Sequence, residues 1–404
     1  MRISLFAVAF LSITLVAACG PAPVCLHCAV DEGLMATLEP TGNGPAHLAE
    51  VYCLEGPETG NLIGRFVSPD AARVARVLND YAVQVSNPLG QPWRVWADDV
   101  ARGDSLAAGA DSVRWGASGV LWAALQRRAD SNGFAGEPVL VSRLNGTTAQ
   151  EILLIEAPGR LDRVQWIGDG FAFVEFDSRG DSYRPERPNP TPTLAMLDAR
   201  QGRVVDSIPW QRMSALRGGG RPDWRANRLL GTVLDDGRMR VVVPGAGWVV
   251  WTQGEAPRVV PSPYETGASA LTPEGRAVLT TGMINAFGAS CEHYESCPEP
   301  IPVEGVWAAL QDLESGRTLW EMRGVAENFK RGEPPVVSPD GRYALMELPP
   351  SGRWRGLGLV SVRDGTVLQQ FASPESYGFT ADGLSLWLEY GVFALYRLVS
   401  SDAP

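Results

Sequence analysis

Past its first 30 residues the chain runs in short strand-like stretches bounded by turn residues, with no long stretch of helical spacing. Three of these boundaries are near-copies: Val337-Ser-Pro-Asp-Gly341, Leu271-Thr-Pro-Glu-Gly275 and Phe379-Thr-Ala-Asp-Gly383. Each leads into an apolar run, respectively Arg342-Tyr-Ala-Leu-Met-Glu-Leu348, Arg276-Ala-Val-Leu-Thr280 and Leu384-Ser-Leu-Trp-Leu-Glu-Tyr390. Proline presets the backbone angle at the second turn position, Asp bonds neighbouring amides and Gly supplies a positive φ, so each copy predicts a hairpin. Weaker copies sit at Asp31-Glu32-Gly33, Ser68-Pro69-Asp70-Ala71, Gly116-Ala-Ser-Gly119, Ile167-Gly-Asp-Gly170 and Asp235-Asp236-Gly237.

A second signal follows most of these turns: a β run, a turn around Asp or Gly, and another β run. Val306-Trp-Ala-Ala-Leu-Gln-Asp-Leu-Glu-Ser-Gly-Arg-Thr-Leu-Trp320 is the best example. Leu194–Val205, Leu359–Leu368 and Val51–Ile63 repeat it. Two hairpins in roughly 40 to 50 residues make a four-stranded blade, the unit of a β-propeller. The expected fold is therefore all-β, with eight antiparallel blades from eight turn signals, or seven. The last module, ending after Val392–Leu398, lacks a fourth strand that an N-terminal strand could supply, closing the ring. Two other readings compete: a short helix capped by Ser68 across Ser68–Asn79, and a two-domain β-sandwich, which does not explain the paired-hairpin period. The Ser-Pro-Asp-Gly copies resemble those of WD40-like bacterial propellers, and Asp312–Trp320 has some quinoprotein-like character. The resemblance spans nearly the whole mature chain and implies a fold while leaving activity open.

The N-terminus has a different character. One cation, Arg2, precedes an uncharged apolar stretch from Leu5 to Ala18, the length of a signal-peptide core and short for a membrane-spanning helix. Leu15-Val-Ala-Ala-Cys19 resembles the lipobox of bacterial lipoproteins. That resemblance implies cleavage after residue 18, with Cys19 carrying a diacylglycerol and an amide-linked acyl chain such as palmitate. Gly20 stands where an Asp would commonly retain the protein in the inner membrane, so the resemblance points to the outer membrane, facing the periplasm. The expected organisation is a signal peptide over 1–18, a lipid-anchored tether over 19–30 and a single propeller domain over 31–404.

Charge narrows the partners. Against 35 Lys and Arg stand 46 Asp and Glu, a net −11, which argues against a general nucleic-acid binder and against adhesion to anionic lipid through overall charge. Two long intervals between turn signals hold extra material, and insertions in repeat folds map to loops. One carries the Pro-rich Asp181–Pro192 and then Arg212–Arg228, where Arg212, Arg217, Arg221, Arg225 and Arg228 face a single acid. Such a cluster can grip carboxylates or phosphates bidentately, although a solvated loop explains it too. The other carries Cys291-Glu-His-Tyr-Glu-Ser-Cys297. A disulfide there, contributing about 2 kcal/mol, is favoured over zinc, since two Cys and one His leave the fourth ligand unspecified. Cys25, Cys28 and Cys53 remain, and Cys53 is expected to pair with one of the other two.

Support for catalysis is thin. His27, His47 and His293 are the only imidazoles, and neither a Gly-x-Ser-x-Gly elbow, a P-loop nor a dinucleotide fingerprint occurs. Gly103-Asp-Ser-Leu106 reads as a turn, and Asp98-Asp99 and Asp235-Asp236 as exposed turn acids. The tryptophans, among them Trp115, Trp166, Trp307 and Trp387, are expected between blades. No cofactor and no metal are expected. The reading that results is a monomeric, lipid-anchored envelope scaffold that binds other envelope proteins. Its alternative is an enzyme or ligand binder using a central channel, quinoprotein-like or glycan-acting.

Overall fold

The computed structural model describes residues 25–26, 32–52, 62–68, 73–78, 83–86, 94–95, 104–106, 113–116, 118–127, 139–145, 148–155, 160–177, 193–217, 229–245, 247–264, 268–282, 303–326, 334–349, 356–390 and 392–399. They are mostly β, and their strands fall into seven sheets that follow one another along the chain. The first element pair, β1 (Cys25–Leu26) and β2 (Ala46–Tyr52), is separated by helix α1 (Glu32–Leu38) and belongs to the last sheet. The first sheet is β3 (Leu62–Val67), β4 (Val74–Leu78), β5 (Val83–Ser86) and β6 (Arg94–Val95). In the second, β7 (Asp104–Leu106) and β8 (Val113–Trp115) both pair with β9 (Leu121–Arg127), followed by β10 (Val139–Asn145) and β11 (Thr148–Ile155).

The next four sheets are four-stranded antiparallel meanders. The third is β12 (Arg160–Gly168), β13 (Phe171–Asp177), β14 (Thr193–Asp198) and β15 (Arg203–Pro209), with helix α2 (Trp210–Leu216) continuing from it. The fourth is β16 (Leu230–Val233), β17 (Met239–Pro244), β18 (Gly247–Thr252) and β19 (Arg258–Pro261). The fifth is β20 (Ala268–Leu271), β21 (Ala277–Thr281), β22 (Val303–Asp312) and β23 (Thr318–Ala326). The sixth is β24 (Val336–Val337), β25 (Tyr343–Glu347), β26 (Gly356–Ser361) and β27 (Val367–Ala372). The seventh takes β28 (Ser376–Phe379), β29 (Ser385–Glu389) and β30 (Phe393–Leu398) from the C-terminus and β2 from the N-terminus, with β1 parallel on its outside.

The repeated turn has a specific chemistry. In Ser338-Pro-Asp-Gly341 the Ser338 amide donates to Tyr343 O, the Tyr343 amide donates to Ser338 Oγ at 2.9 Å, and Ser338 Oγ donates to Asp340 Oδ1 at 2.7 Å. The same hydroxyl-to-amide bond joins Thr272 to Ala277 at 3.1 Å, Thr380 to Ser385 at 3.1 Å and Ser68 to Arg73 at 2.8 Å. Ser68 and Arg73 are thus joined as the ends of the other copies are, and Val74–Leu78, within the span where a helix capped by Ser68 is the competing reading, is strand. Gly341 sits at φ +71° and Gly383 at φ +70°, where a Cβ would be strained.

Three expectations are corrected. Asp31-Glu32-Gly33, read as a hairpin turn, runs into α1, whose Leu38 is fully buried in the core under the sixth and seventh sheets. Val51–Ile63, read as a hairpin, holds β2 and β3, which lie in different sheets. Asp104–Leu106, read as part of a turn, is strand β7, paired with β9. Leu38 of α1 is buried by strands from the far end of the chain, β2 pairs with β30, and β7 pairs with β9, so contacts outside each local cluster decide the outcome.

One edge strand of each sheet touches that of the next in succession: β3 with β8, β8 with β12, and on through β16, β20 and β24 to β28. Between them run side-chain donors to the next sheet's backbone. Arg73 reaches Gly119 O at 2.9 Å, Arg114 reaches Trp166 O at 2.8 Å, Gln165 reaches Leu229 O, and Thr232 reaches Pro273 O at 2.7 Å. Apolar faces pack between neighbouring sheets. Phe173 meets Trp251 edge-on at 6.3 Å, and Trp122 meets Trp166 at 5.6 Å. Tryptophan indoles also donate across the gaps: Trp122 to Asp169 Oδ1, Trp248 to Gln311 Oε1, Trp307 to Glu347 O and Trp320 to Val362 O. At the two ends of the series, Val67 of β3 packs on Trp387, Phe393 and Leu395 of β29 and β30.

Candidate functional site

Each sheet has two ends, and the turn contacts show that these ends are aligned from the second sheet to the seventh. A Cβ on Gly116 would strike Asp169 of the third sheet's turn, and Ile167 there lies against Gly231. Gly275 lies against Leu234 and Arg240, Gly341 against Glu274, and Gly383 against Pro339. The first-hairpin turns thus form a continuous row at one end. Antiparallel order sends the turns between third and fourth strands to that same end, as at Asp198–Gly202 and Asp312–Gly316.

That turn end is built from carboxylates that cap amides. Asp312, almost wholly buried, accepts from Ser315 N and Ser315 Oγ, both at 2.7 Å, from Glu314 N at 3.1 Å and from Arg276 Nε at 3.3 Å. Burial pushes its pKa up, but the Ser315, Arg276 and Glu314 donors outweigh it and hold the carboxyl below the usual range. At Asp340 burial likewise pushes up and is outweighed by the Ser338 hydroxyl and Arg342. The Thr366 amide lowers Asp364, and the Arg238 amide and guanidinium lower Asp236. A depressed folded pKa contributes stability above the unfolded value of about 3.9, lost as pH falls through the lower folded value. Thermal unfolding followed by circular dichroism should therefore change little from neutral pH down to about 5 and drop below about 4. Asp312→Asn should blunt that drop.

The other end receives the longer connections. Asp177 leads there into the segment holding Asp181–Pro192, Gly282 into the segment holding Cys291 and Cys297, and α2 leaves β15 there toward the arginine-rich stretch. Arg212 lies exposed on α2, so the first part of a stretch expected to be loop is helical, with Met213 buried beneath it. Arg217 is half-buried at the helix C-terminus and gives its Nε–H to Pro244 O, and burial lowers its pKa. Its guanidinium is partly committed to holding α2 on the fourth sheet. Arg221, Arg225, Arg228, Cys291, Cys297 and Cys19 lie outside the described residues, as do Cys28, Cys53 and Asp98-Asp99. Cys25 stands in β1 opposite Val51.

No protein-family model matches the chain, and no curated protein matches it. Sequence likeness therefore assigns no activity, and the geometry has to carry the reading.

Among the described residues no three His, Cys, Asp or Glu side chains gather as a metal site, and no helix is long and apolar enough to cross a membrane. Asp235 and Asp236 are exposed turn acids, with Asp236 paired to Arg238 at 2.7 Å. One feature had no signal in the sequence: an open cleft of about 430 Å³ between the outer strands of the fifth and sixth sheets. Met322, Leu348, Pro349 and Val367 line it with Arg323 and Gln370. Its residues come from four strands and their flanks, so only assembly brings them together.

Proposed function

We propose that the seven sheets are blades of one closed β-propeller and that the protein is an envelope scaffold, anchored by acyl chains on Cys19, which binds other envelope proteins at its loop end. The observation that carries the reading is the division of the molecule into two unlike ends. Among the described residues, one end carries short turns that satisfy their own polar groups, while the chain leaves from the other into the segments holding Asp181–Pro192, the arginine-rich stretch and Cys291–Cys297. Rigid elements presenting variable connections on one side are how repeat folds recognise partners. Closure is supported by the succession of edge strands, by Val67 packed on β29 and β30, and by β2 completing the last sheet from the other end of the chain. With Asp31–Gly33 removed from the turn signals, seven remain for seven sheets.

Two experiments test this. Several acyl chains at about 0.8 kcal/mol per buried methylene hold a protein on a membrane almost permanently, so Cys19→Ala is expected to move it from the membrane to the soluble fraction. Unchanged retention would remove the lipoprotein reading. Crosslinking in intact cells with affinity purification should recover envelope proteins in stoichiometric amounts. The combined charge reversal of Arg212, Arg221, Arg225 and Arg228 to Glu should abolish that recovery while leaving the circular dichroism spectrum unchanged. Recovery of the protein alone from anchored cells would sink the scaffold.

A further inference from the structure

The segment joining α1 to β2 is held at two points. Thr41 exchanges backbone hydrogen bonds with Gln370 of β27, at 2.9 and 3.1 Å. Five residues on, the buried side chain of Gln369 grips the backbone of Ala46: the Ala46 amide donates to Oε1 at 2.7 Å, and Nε2 donates to Ala46 O at 2.9 Å. These two holds set where β2 enters the seventh sheet. Between them lies Asn43-Gly44. Asn43 is exposed, and neither its carboxamide nor the Gly44 amide has a hydrogen-bond partner among the described residues. Gly44 lies so close to Gln369 that a Cβ there would fall on the glutamine's side chain.

We infer that Asn43-Gly44 is a site of spontaneous deamidation whose product loosens the hold on β2. Glycine's missing side chain lets its nitrogen approach the preceding Asn Cγ, and among the described residues no acceptor holds that nitrogen in a hydrogen bond. Once it loses its proton to hydroxide, the Gly44 nitrogen attacks Asn43 Cγ. The new N–Cγ bond closes a succinimide, and the carboxamide nitrogen leaves as ammonia. Water then opens the ring at either carbonyl, giving Asp or isoaspartate; overall one water enters and one ammonia departs. Isoaspartate routes the main chain through the former side-chain methylene, which lengthens the path between Thr41 and Ala46. Both holds were built for the shorter path, so the Gln369 grip gives way.

The test is incubation of the folded full chain at mildly alkaline pH, with peptide mapping and an isoaspartate assay, beside a urea-unfolded sample and the variants Asn43→Gln and Asn43→Asp. The peptide carrying Asn43 is expected to become one mass unit heavier, with isoaspartate, at nearly the rate of the unfolded sample. Limited proteolysis between α1 and β2 should quicken about tenfold in the converted fraction, because cleavage follows the population of the open form. Asn43→Gln should stay unconverted and resistant, and Asn43→Asp resistant when fresh, which separates the altered backbone from the added charge. Asn43 surviving in the folded protein while converting in urea would overturn the site. Conversion with unchanged proteolysis would overturn its effect on β2.

Discussion

Gln369→Ala is expected to destabilise the protein by about 2 to 4 kcal/mol, because two buried backbone groups lose their partner at once and each unsatisfied group costs about 1–3 kcal/mol. The side chain is 3% exposed and satisfies both the amide and the carbonyl of Ala46, the first residue of β2. The measurement is urea unfolding of the purified chain, together with proteolysis at the α1–β2 connection, which should quicken before the rest of the molecule opens. Gln369→Glu keeps the acceptor for the Ala46 amide but sets a carboxylate oxygen against the Ala46 carbonyl. It should lose nearly as much stability at neutral pH and recover part of it in acid, where the protonated oxygen can donate. An unchanged midpoint in Gln369→Ala would mean that this grip adds nothing to the hold that β30, β1 and the Thr41–Gln370 pair already supply. Tyr396, whose hydroxyl donates to Leu38 O at 2.6 Å, ties α1 into the same place, and burial raises that phenol's pKa well above the ordinary value.

Trp248→Ala should cost about 3–5 kcal/mol, the range for deleting a buried aromatic side chain. The indole is 1% exposed in the cluster that joins the fourth and fifth sheets, with Val242, Val250, Val260, Val278 and Leu313 around it. Its Nε1–H donates to Gln311 Oε1 at 2.9 Å, and the same glutamine gives Nε2 to Pro261 O and Gly316 O at 2.7 and 2.9 Å. One side chain thus bridges two sheets and a turn. Trp248→Phe keeps most of the volume and removes only the indole donor, so its loss of about 1–3 kcal/mol reports the orphaned Gln311 oxygen. Denaturant midpoints of both variants against the parent check the pair. Equal losses would show that the hydrogen bond dominates, and a loss confined to the alanine variant would show that packing does.

The hairpins at Ser338–Gly341, Thr272–Gly275 and Thr380–Gly383 were legible because their cause is local: the residues that shape each turn are neighbours in the chain. Even there the Ser or Thr hydroxyl went unread, although it is the group that ties the turn to the following strand. The exposed Asp235 and Asp236 were legible for the same reason. The start of α1 was not. Asp31-Glu32-Gly33 has the composition of a turn, and only burial of Leu38 under strands from the far end of the chain makes the helix worth forming. In the sequence Arg217 is one more cation in a basic stretch, whereas the fold places Pro244 O against it.

By itself, then, the amino-acid sequence determined the strand-rich class, the two hairpins per unit and the position of most turns. Each rests on interactions spanning a few residues, which composition and spacing encode directly. The tertiary structure decided what joins what. β2 belongs to the last sheet, β7 lies on β9, Gln369 holds Ala46 from 323 positions away, and the long connections leave from one end. Those outcomes follow from burying one particular apolar face against another and from satisfying the backbone groups buried with it. That selection among distant partners leaves no periodic mark along the chain.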